Sequence, residues 1–417
     1  MLPLSRRHFL ATGLAATVST RLLAQPSNDK PDTIRLPAKA VTKGPNHHFF
    51  GYYDKCPWDA TGRYLLAMES AFCDRQPKSG EELTLGMVDL QDGNQYIPFD
   101  KTAAWCWQQG TMLQWLGSDP KRHVIYNSVV EGKYVSTIRD VHSGKTHTMP
   151  LPIYAVANSG LHAVTLDFAR LHRLRPGYGY ASVPEQFADD PAPDQLGIWG
   201  MDLVSGRTQL IVTLKQLAAY KPDDRFPGAH HWVNHLQFNP SGTRTIFLHR
   251  WKKPTDRSWQ TRLFTVKPNG ADLRLHLDDG MTSHFDWLDD TTILAWARTK
   301  KTGDRFYLID VNGAEPKVLG ESVLTKDGHC SYSPNRKWIL NDTYPDKDRL
   351  QWLMLFNPKT GRRFDLNQFH SPKEFTGPTR CDLHPRWNRD GTQVCFDGCH
   401  EPQRQLYVVD VSDIVKG

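Results

Sequence analysis

His384-Pro-Arg-Trp-Asn-Arg-Asp-Gly-Thr-Gln-Val-Cys-Phe396 runs from a histidine through a polar turn into a β-rich stretch, and it has echoes throughout the chain. They include His235-Leu-Gln-Phe-Asn-Pro-Ser-Gly, His284-Phe-Asp-Trp-Leu-Asp-Asp and His329-Cys-Ser-Tyr-Ser-Pro-Asn. Earlier and less regular copies are Phe50-Gly-Tyr-Tyr-Asp-Lys-Cys-Pro-Trp and Leu113-Gln-Trp-Leu-Gly-Ser-Asp. Partner strands such as Leu85–Leu90, Gly197–Leu203, Phe306–Val311 and Leu406–Val411 are rich in β-branched and aromatic residues and run into Asp, Gly or Asn turns. Repeats start near residues 48, 103, 153, 230, 281, 324 and 379. Their spacing suits four short strands and their turns, the size of one propeller blade. A lone blade cannot bury its two faces, so the blades stack around an axis. The chain is therefore expected to be all-β, a seven-bladed β-propeller over residues 46–417. A pair of β-sandwiches is the alternative, and the fixed place of the turn in each repeat favours the propeller. The long third repeat carries Arg173-Leu-Arg-Pro-Gly-Tyr-Gly-Tyr180, suited to a loop over one face. Only Leu214–Tyr220 reads as helical.

The 417 residues include 51 Lys and Arg against 45 Asp and Glu. Arg6, Arg7 and Arg21 lie in an opening segment without acids, and leaving them out reduces the basic side chains to 48. So mild an excess gives no nucleic-acid footprint. No run of 18 apolar residues offers a stable membrane anchor. Ser5-Arg6-Arg7-His8-Phe9-Leu10, the weakly apolar run to Ser19 and the small Ala24 read as a twin-arginine signal over residues 1–24. The expected location is periplasmic or secreted, with the twin-arginine export machinery as a partner. Residues 25–45 read as a tether. The seven cysteines have no framework spacing, and no essential disulfide is expected.

The recurrent histidines carry most of the chemistry. His235, His284, His329 and His384 hold one position in four consecutive repeats. Equivalent blade positions project toward the axis, so neutral imidazoles can converge there and, with a carboxylate, hold a divalent metal. Asp382 and His384 are two apart and point the same way on an extended strand. The alternative is that each histidine hydrogen-bonds a neighbouring blade. His249-Arg250-Trp251 suits an anionic sugar: a guanidinium clamps a carboxylate and an indole supports a sugar ring. Tyr53 and Lys55, in a dense polar-aromatic cluster, and Gln108, in Trp105-Cys-Trp-Gln-Gln-Gly110, are further substrate-binding candidates. There is no phosphate-cradling glycine loop, Gly-x-Ser-x-Gly elbow or Cys-x-x-Cys pair.

In order and spacing, the motifs at His235, Leu248-His249, His284, His329 and His384 resemble those of the oligogalacturonate lyase family. The resemblance is closest over residues 230–417 and architectural before them. It implies a seven-bladed propeller with a channel metal, usually manganese, acting on an acidic oligosaccharide by β-elimination. It also implies that His284 and His384 are metal ligands and that His249 holds the place of the catalytic histidine. The assignment is then His249 as base, Arg250 on the substrate carboxylate, and His284, Asp382 and His384, with His329, around the metal. Thr379 and Asp382 stand where the family carries Gln and His, and Phe49–Lys55 departs from its first blade. Two other classes remain open: a non-enzymatic scaffold for sugar or protein binding, and a glycoside hydrolase using two acids from among Asp54, Asp286, Asp342 and Asp397.

Overall fold

A computed structural model describes residues 30–416. Its strands form seven antiparallel sheets in chain order, and the molecule is a seven-bladed β-propeller. The first strands of the blades are His47–Phe49, Gln114–Trp115, Ala155–Val156, His230–Phe238, Thr282–Trp287, Ser331–Tyr332 and Arg386–Trp387. Each opens its sheet, and each later strand pairs with the one before it.

Both faces of every sheet meet a neighbouring blade, so the middle strands are buried without alternation. Thr245–Trp251 is buried at every position, and Ile293–Ala297 likewise. The recurring turn has a specific cause. In four blades a residue in the turn ahead of the second strand accepts a hydrogen bond from the backbone amide five positions on. Asp59 Oδ1 takes it from Tyr64 N (3.0 Å), Asn239 Oδ1 from Arg244 N (3.0 Å), Ser333 Oγ from Trp338 N (3.0 Å) and Asn388 Oδ1 from Gln393 N (2.9 Å). This geometry needs a left-handed residue three positions after the acceptor, which glycine supplies at Gly242 (φ 73°) and Gly391 (φ 75°). Arg336 adopts it with a side chain (φ 60°), so the Gly pattern fades in the sixth blade.

Residues 25–45 do not behave as the expected tether where they are described. Ala38–Ala40 pairs antiparallel with Gln405–Asp410 and supplies the outer strand of the seventh blade. Asp32–Thr33 adds a fifth, parallel strand to the sixth blade beside Arg363–His370. Unpaired outer edges recruit whatever chain lies near, and here they recruit the N-terminal segment. The signal read at 1–24 lies outside the described residues. Among the described residues no helix is long and apolar enough to cross a membrane.

The helix read at Leu214–Tyr220 spans Leu214–Ala219, started by a reciprocal capping box between Thr213 and Gln216. A second helix, Phe168–Leu174, was not read from the sequence. Asp167 caps it by accepting from Arg170 N (2.6 Å), and five of its seven residues are buried. It leads into the Arg175–Tyr180 stretch, whose Tyr178 ring lies 5.7 Å from that of His235 and 6.3 Å from that of Tyr52. All seven cysteines are thiols.

The closing strands yield a test. A chain starting at residue 42 loses Leu36, Ala38 and the buried Val41, and leaves two blade edges open. Relative to a chain starting at residue 30, urea denaturation is expected to show a loss of about 3 kcal/mol, the worth of one or two buried aliphatic side chains.

Candidate active site

The site begins where the first blade crosses to the axis. At Gly51 (φ 120°) a Cβ would meet the Gln109 backbone at 2.9 Å, so glycine alone permits the approach. Arg386 holds the crossing by donating to Gly51 O and, at 3.1 Å, to Tyr52 O. Tyr52 and Tyr53 thereby reach the centre. The Tyr52 ring stacks on His235 at 5.1 Å and lies edge-on to His384 at 5.0 Å. Tyr53 OH donates to Phe285 O (2.9 Å) and accepts from Phe285 N (3.0 Å).

Around these rings stand the four histidines from blades four to seven. Successive ring centroids are 6.1 Å apart for His235 and His284, 4.2 Å for His284 and His329, and 4.3 Å for His329 and His384. His235 and His384 have left-handed backbones (φ 52° and 42°), a strained state for a residue with a Cβ. Burial holds the pKa of His235, His329 and His384 well below the usual imidazole range, so these rings are neutral.

Carboxylates orient the rings. Asp342 lies 2.9 and 3.0 Å from His329 Nδ1, and also accepts from the backbone amides of His329 (2.7 Å) and His384 (3.2 Å). Asp327 lies 3.0 Å from His284 Nδ1. With Nδ1–H given to Asp342, His329 Nε2 carries a free lone pair, and it has no protein partner. Neither ring nitrogen of His384 has a hydrogen-bond partner. One donor atom each from His329, Asp382 and His384 lies within 4.8 Å of the others. Two neutral imidazoles and a carboxylate, with buried nitrogens lacking partners, fit a divalent metal of the Mn or Zn type. His284 adjoins this set but is not one of the three. Asp382 is also bonded by Arg380 Nε at 2.6 Å, and Arg380 in turn donates to Tyr178 OH at 2.6 Å.

Charge gives the second feature. Four fully buried arginines have carboxylate partners: Arg170 with Glu185, Arg262 with Asp278, and Arg386 and Arg404 both with Asp397. Arg250 is also buried, 4% exposed, and among the described residues it has none; its Nε and Nη1 lack any partner there. Burial, with the like charge of Arg175, brings its pKa down to about 10. Both guanidiniums pack on Trp259, at 5.4 Å for Arg250 and 4.3 Å for Arg175, and Arg175 also covers Tyr178. A buried cation without a counter-charge is costly, and an anionic ligand relieves it. The tyrosines nearby are neutral: burial raises Tyr52, Tyr154 and Tyr344 far above the ordinary phenol range.

The remaining sequence candidates fall elsewhere. On the Thr245–Lys252 strand, alternate residues face opposite ways, so Arg250 turns to the cluster while His249 and Trp251 turn from it. His249 is fully buried against His231 (His249 Nε2 to His231 Nδ1 2.9 Å), Phe226 and Trp251. Neither the base role for His249 nor the sugar-stacking role for Trp251 has a geometric basis here. Gln108 fastens a loop, donating to Pro378 O (3.2 Å) and Arg380 O (2.9 Å). Tyr53 and Lys55 line a different cavity on the axis. Thr379 is buried in a short turn, its hydroxyl on Thr376 O at 3.1 Å. Of the four acids considered for hydrolysis, Asp54 is bound by Lys55, Asp286 by Gln237 and two amides, Asp342 by His329, and Asp397 by two arginines. Sequence reading passed over Tyr154, Arg175 and Asp327. Asp342 was considered only as a hydrolytic acid, and its role on His329 was not read, although it closes the apolar Ile339–Asp342 strand.

No protein-family model matches the chain, and no curated protein matches it. Among solved structures it is similar to an oligogalacturonate lyase in complex with manganese, at 15% identity and TM-score 0.66, over 92% of this chain and 95% of that one. It is also similar to an oligogalacturonate lyase from Vibrio parahaemolyticus, at 13% identity and TM-score 0.63, over 91% and 97%. A prolyl endopeptidase structure matches at 12% identity and TM-score 0.50, over 88% of this chain and 48% of its own. At these identities the likeness establishes the propeller.

The buried His231–His249 pair predicts a pH effect on stability. Burial brings His231 down to about 4 and His249 well below the usual value of 6.5. Below 6.5 the unfolded chain takes up protons that the folded one refuses, so stability present above that pH is lost as pH falls toward 4. His231 alone is expected to cost about 2 kcal/mol by pH 5. Urea midpoints between pH 7.5 and 5 measure this, and a double His231→Gln, His249→Gln substitution should flatten the slope.

Proposed function

We propose that this protein is a lyase that cleaves uronic-acid-containing oligosaccharides by β-elimination, exported through its twin-arginine segment. One observation carries the reading: the unpaired Arg250 and Arg175 adjoin a cluster of neutral imidazoles on the propeller axis. The two oligogalacturonate lyases of matching fold support it.

β-Elimination needs a base beside a carboxylate whose charge has been offset, because the α-proton of a uronate is otherwise barely acidic. Arg250 and Arg175 supply the offset. The imidazole sharing their corner is His235, held by Tyr52 OH at Nε2 and Tyr154 OH at Nδ1, both 3.3 Å. In this proposal His235 takes the base role that the family resemblance implied for His249. It accepts the α-proton, the new double bond forms, and the bond to the 4-linked sugar oxygen breaks. The proton on His235 is then available to the leaving oxygen. A divalent cation, manganese by analogy with the first neighbour, would be held by His329, Asp382 and His384 and would supply further charge neutralisation at the carboxylate.

The test is ultraviolet absorbance of the unsaturated uronate formed from oligogalacturonate, with and without EDTA. Activity should vanish with chelator and return with Mn2+. Reducing ends without absorbance would indicate hydrolysis, and binding without turnover would indicate a scaffold. His235→Gln should lower kcat by about a hundred-fold or more, whereas His249→Gln should leave elimination nearly unchanged.

Arg250→Met separates function from folding. It removes an uncompensated buried charge, so the ligand-free protein should gain about 1–3 kcal/mol in urea denaturation. The same variant should lose about a hundred-fold in kcat/KM, since a charge-assisted carboxylate contact disappears.

A further inference from the structure

Beyond the imidazole cluster the axis holds a chamber of about 360 Å³, within the size range of small-molecule sites. Its lining follows from the strand period. Gln237, Asp286, Ser331 and Arg386 stand two residues after His235, His284, His329 and His384, in the first strands of blades four to seven. Each of these four blades therefore contributes one side chain to the imidazole cluster and one to the chamber wall. Tyr53 lines the chamber and also packs against the His284 and His329 rings (5.8 and 5.4 Å), with its hydroxyl fixed to Phe285. It stands between chamber and histidines, and the chamber belongs to the mouth where the first strands end.

The wall chemistry selects the ligand. Four basic and two acidic side chains line the chamber. Both acids are engaged: Asp54 takes both its bonds from Lys55 (2.9 and 2.8 Å), and Asp286 accepts from Gln237 Nε2, Tyr332 N and Trp287 N. Arg386 is held by Asp397, and Arg336 donates to Trp287 O. Arg389 differs: it stands exposed at the rim, its Nε bonded to Trp58 O at 3.0 Å, and no carboxylate pairs with it among the described residues, so its remaining donors are open to a ligand entering from solvent. Two wall atoms, Gln237 Oε1 and Ser331 Oγ, are buried without a partner, and Ser331 is 8% exposed. An unpaired guanidinium, a hydroxyl and an amide oxygen, set among Tyr332, Trp287 and Trp387, match a ligand with one negative group, several hydroxyls and an apolar ring face.

We infer that this chamber is a second binding site, distinct from the imidazole cluster, for a monosaccharide-sized anion: a sugar acid or a sugar phosphate seated with its charged group on Arg389 and its hydroxyls on Ser331 and Gln237.

Calorimetric titration of the whole protein with D-galacturonate, glucose 6-phosphate and neutral galactose tests it. Arg250→Gln serves as the background, because that substitution disables the guanidinium beside the imidazoles and leaves the chamber intact. At least one of the two acids should bind in this background, and the tighter one identifies carboxylate or phosphate as the charged group. Arg389→Gln or Ser331→Ala added to it should weaken that binding ten-fold or more. Arg389→Gln in the otherwise unchanged protein should leave elimination from oligogalacturonate at its original rate, so failure of the lyase reading and failure of this one are distinguishable. Absence of binding by both acids in the Arg250→Gln background overturns the inference. So does equal affinity with and without Arg389, or galactose binding as tightly as the acids.

Discussion

Every sheet in this protein has two apolar faces, and that one constraint sets the rest. A sheet so made has no solvent-tolerant side, so the blades close into a ring in which each face meets another. Closure forces the last outer strand to come from the beginning of the chain, at Ala38–Ala40. It also brings seven first strands to a common axis, where apolar packing ends and the polar side chains of several blades meet. The functional geometry is a by-product of ring closure: His235 and His384 are far apart in the chain, yet both rings lie about 5 Å from the ring of Tyr52.

Legibility in the sequence follows the same division. The ring was readable because blade count, turn position and strand composition repeat, and the hydrogen bond from the turn residue to the amide five positions on gives that repetition a cause. The histidines were readable because they are in register. The face on which a side chain emerges was harder to read. His249 and Arg250 are neighbours, and assigning both to one site ignored the alternation of an extended strand. The N-terminal segment was misread because a short edge strand of Ala-Lys-Ala has no apolar pattern of its own, its pairing being fixed entirely by the open edge of the seventh blade. Tyr154 and Arg175 escaped notice because single tyrosines and arginines carry no spacing signal, and tertiary closure alone brings them beside His235 and Arg250.

The candidate metal donors differ from what the family resemblance implies. Asp382 is bound directly by Arg380. Thr379 is turned into its own backbone. The three donors brought together are two imidazoles and one carboxylate shared with Arg380. Such a set would suit a hard divalent ion and would leave open positions on it.

The arginines then decide between a site and mere structural furniture. If the polar axis existed only to hold the blades together, its cations would be paired as Arg386 and Arg404 are paired through Asp397. Those two show that the fold can supply buried counter-ions. At Arg250 it supplies none, and it sets Arg175 beside it, so like charges reinforce the penalty that burial already imposes. A protein under selection for stability alone would replace such a residue with an apolar one at little cost. Under the proposed reading, its presence beside the neutral His235 is accounted for by a ligand carboxylate that would complete the pairing the chain leaves open.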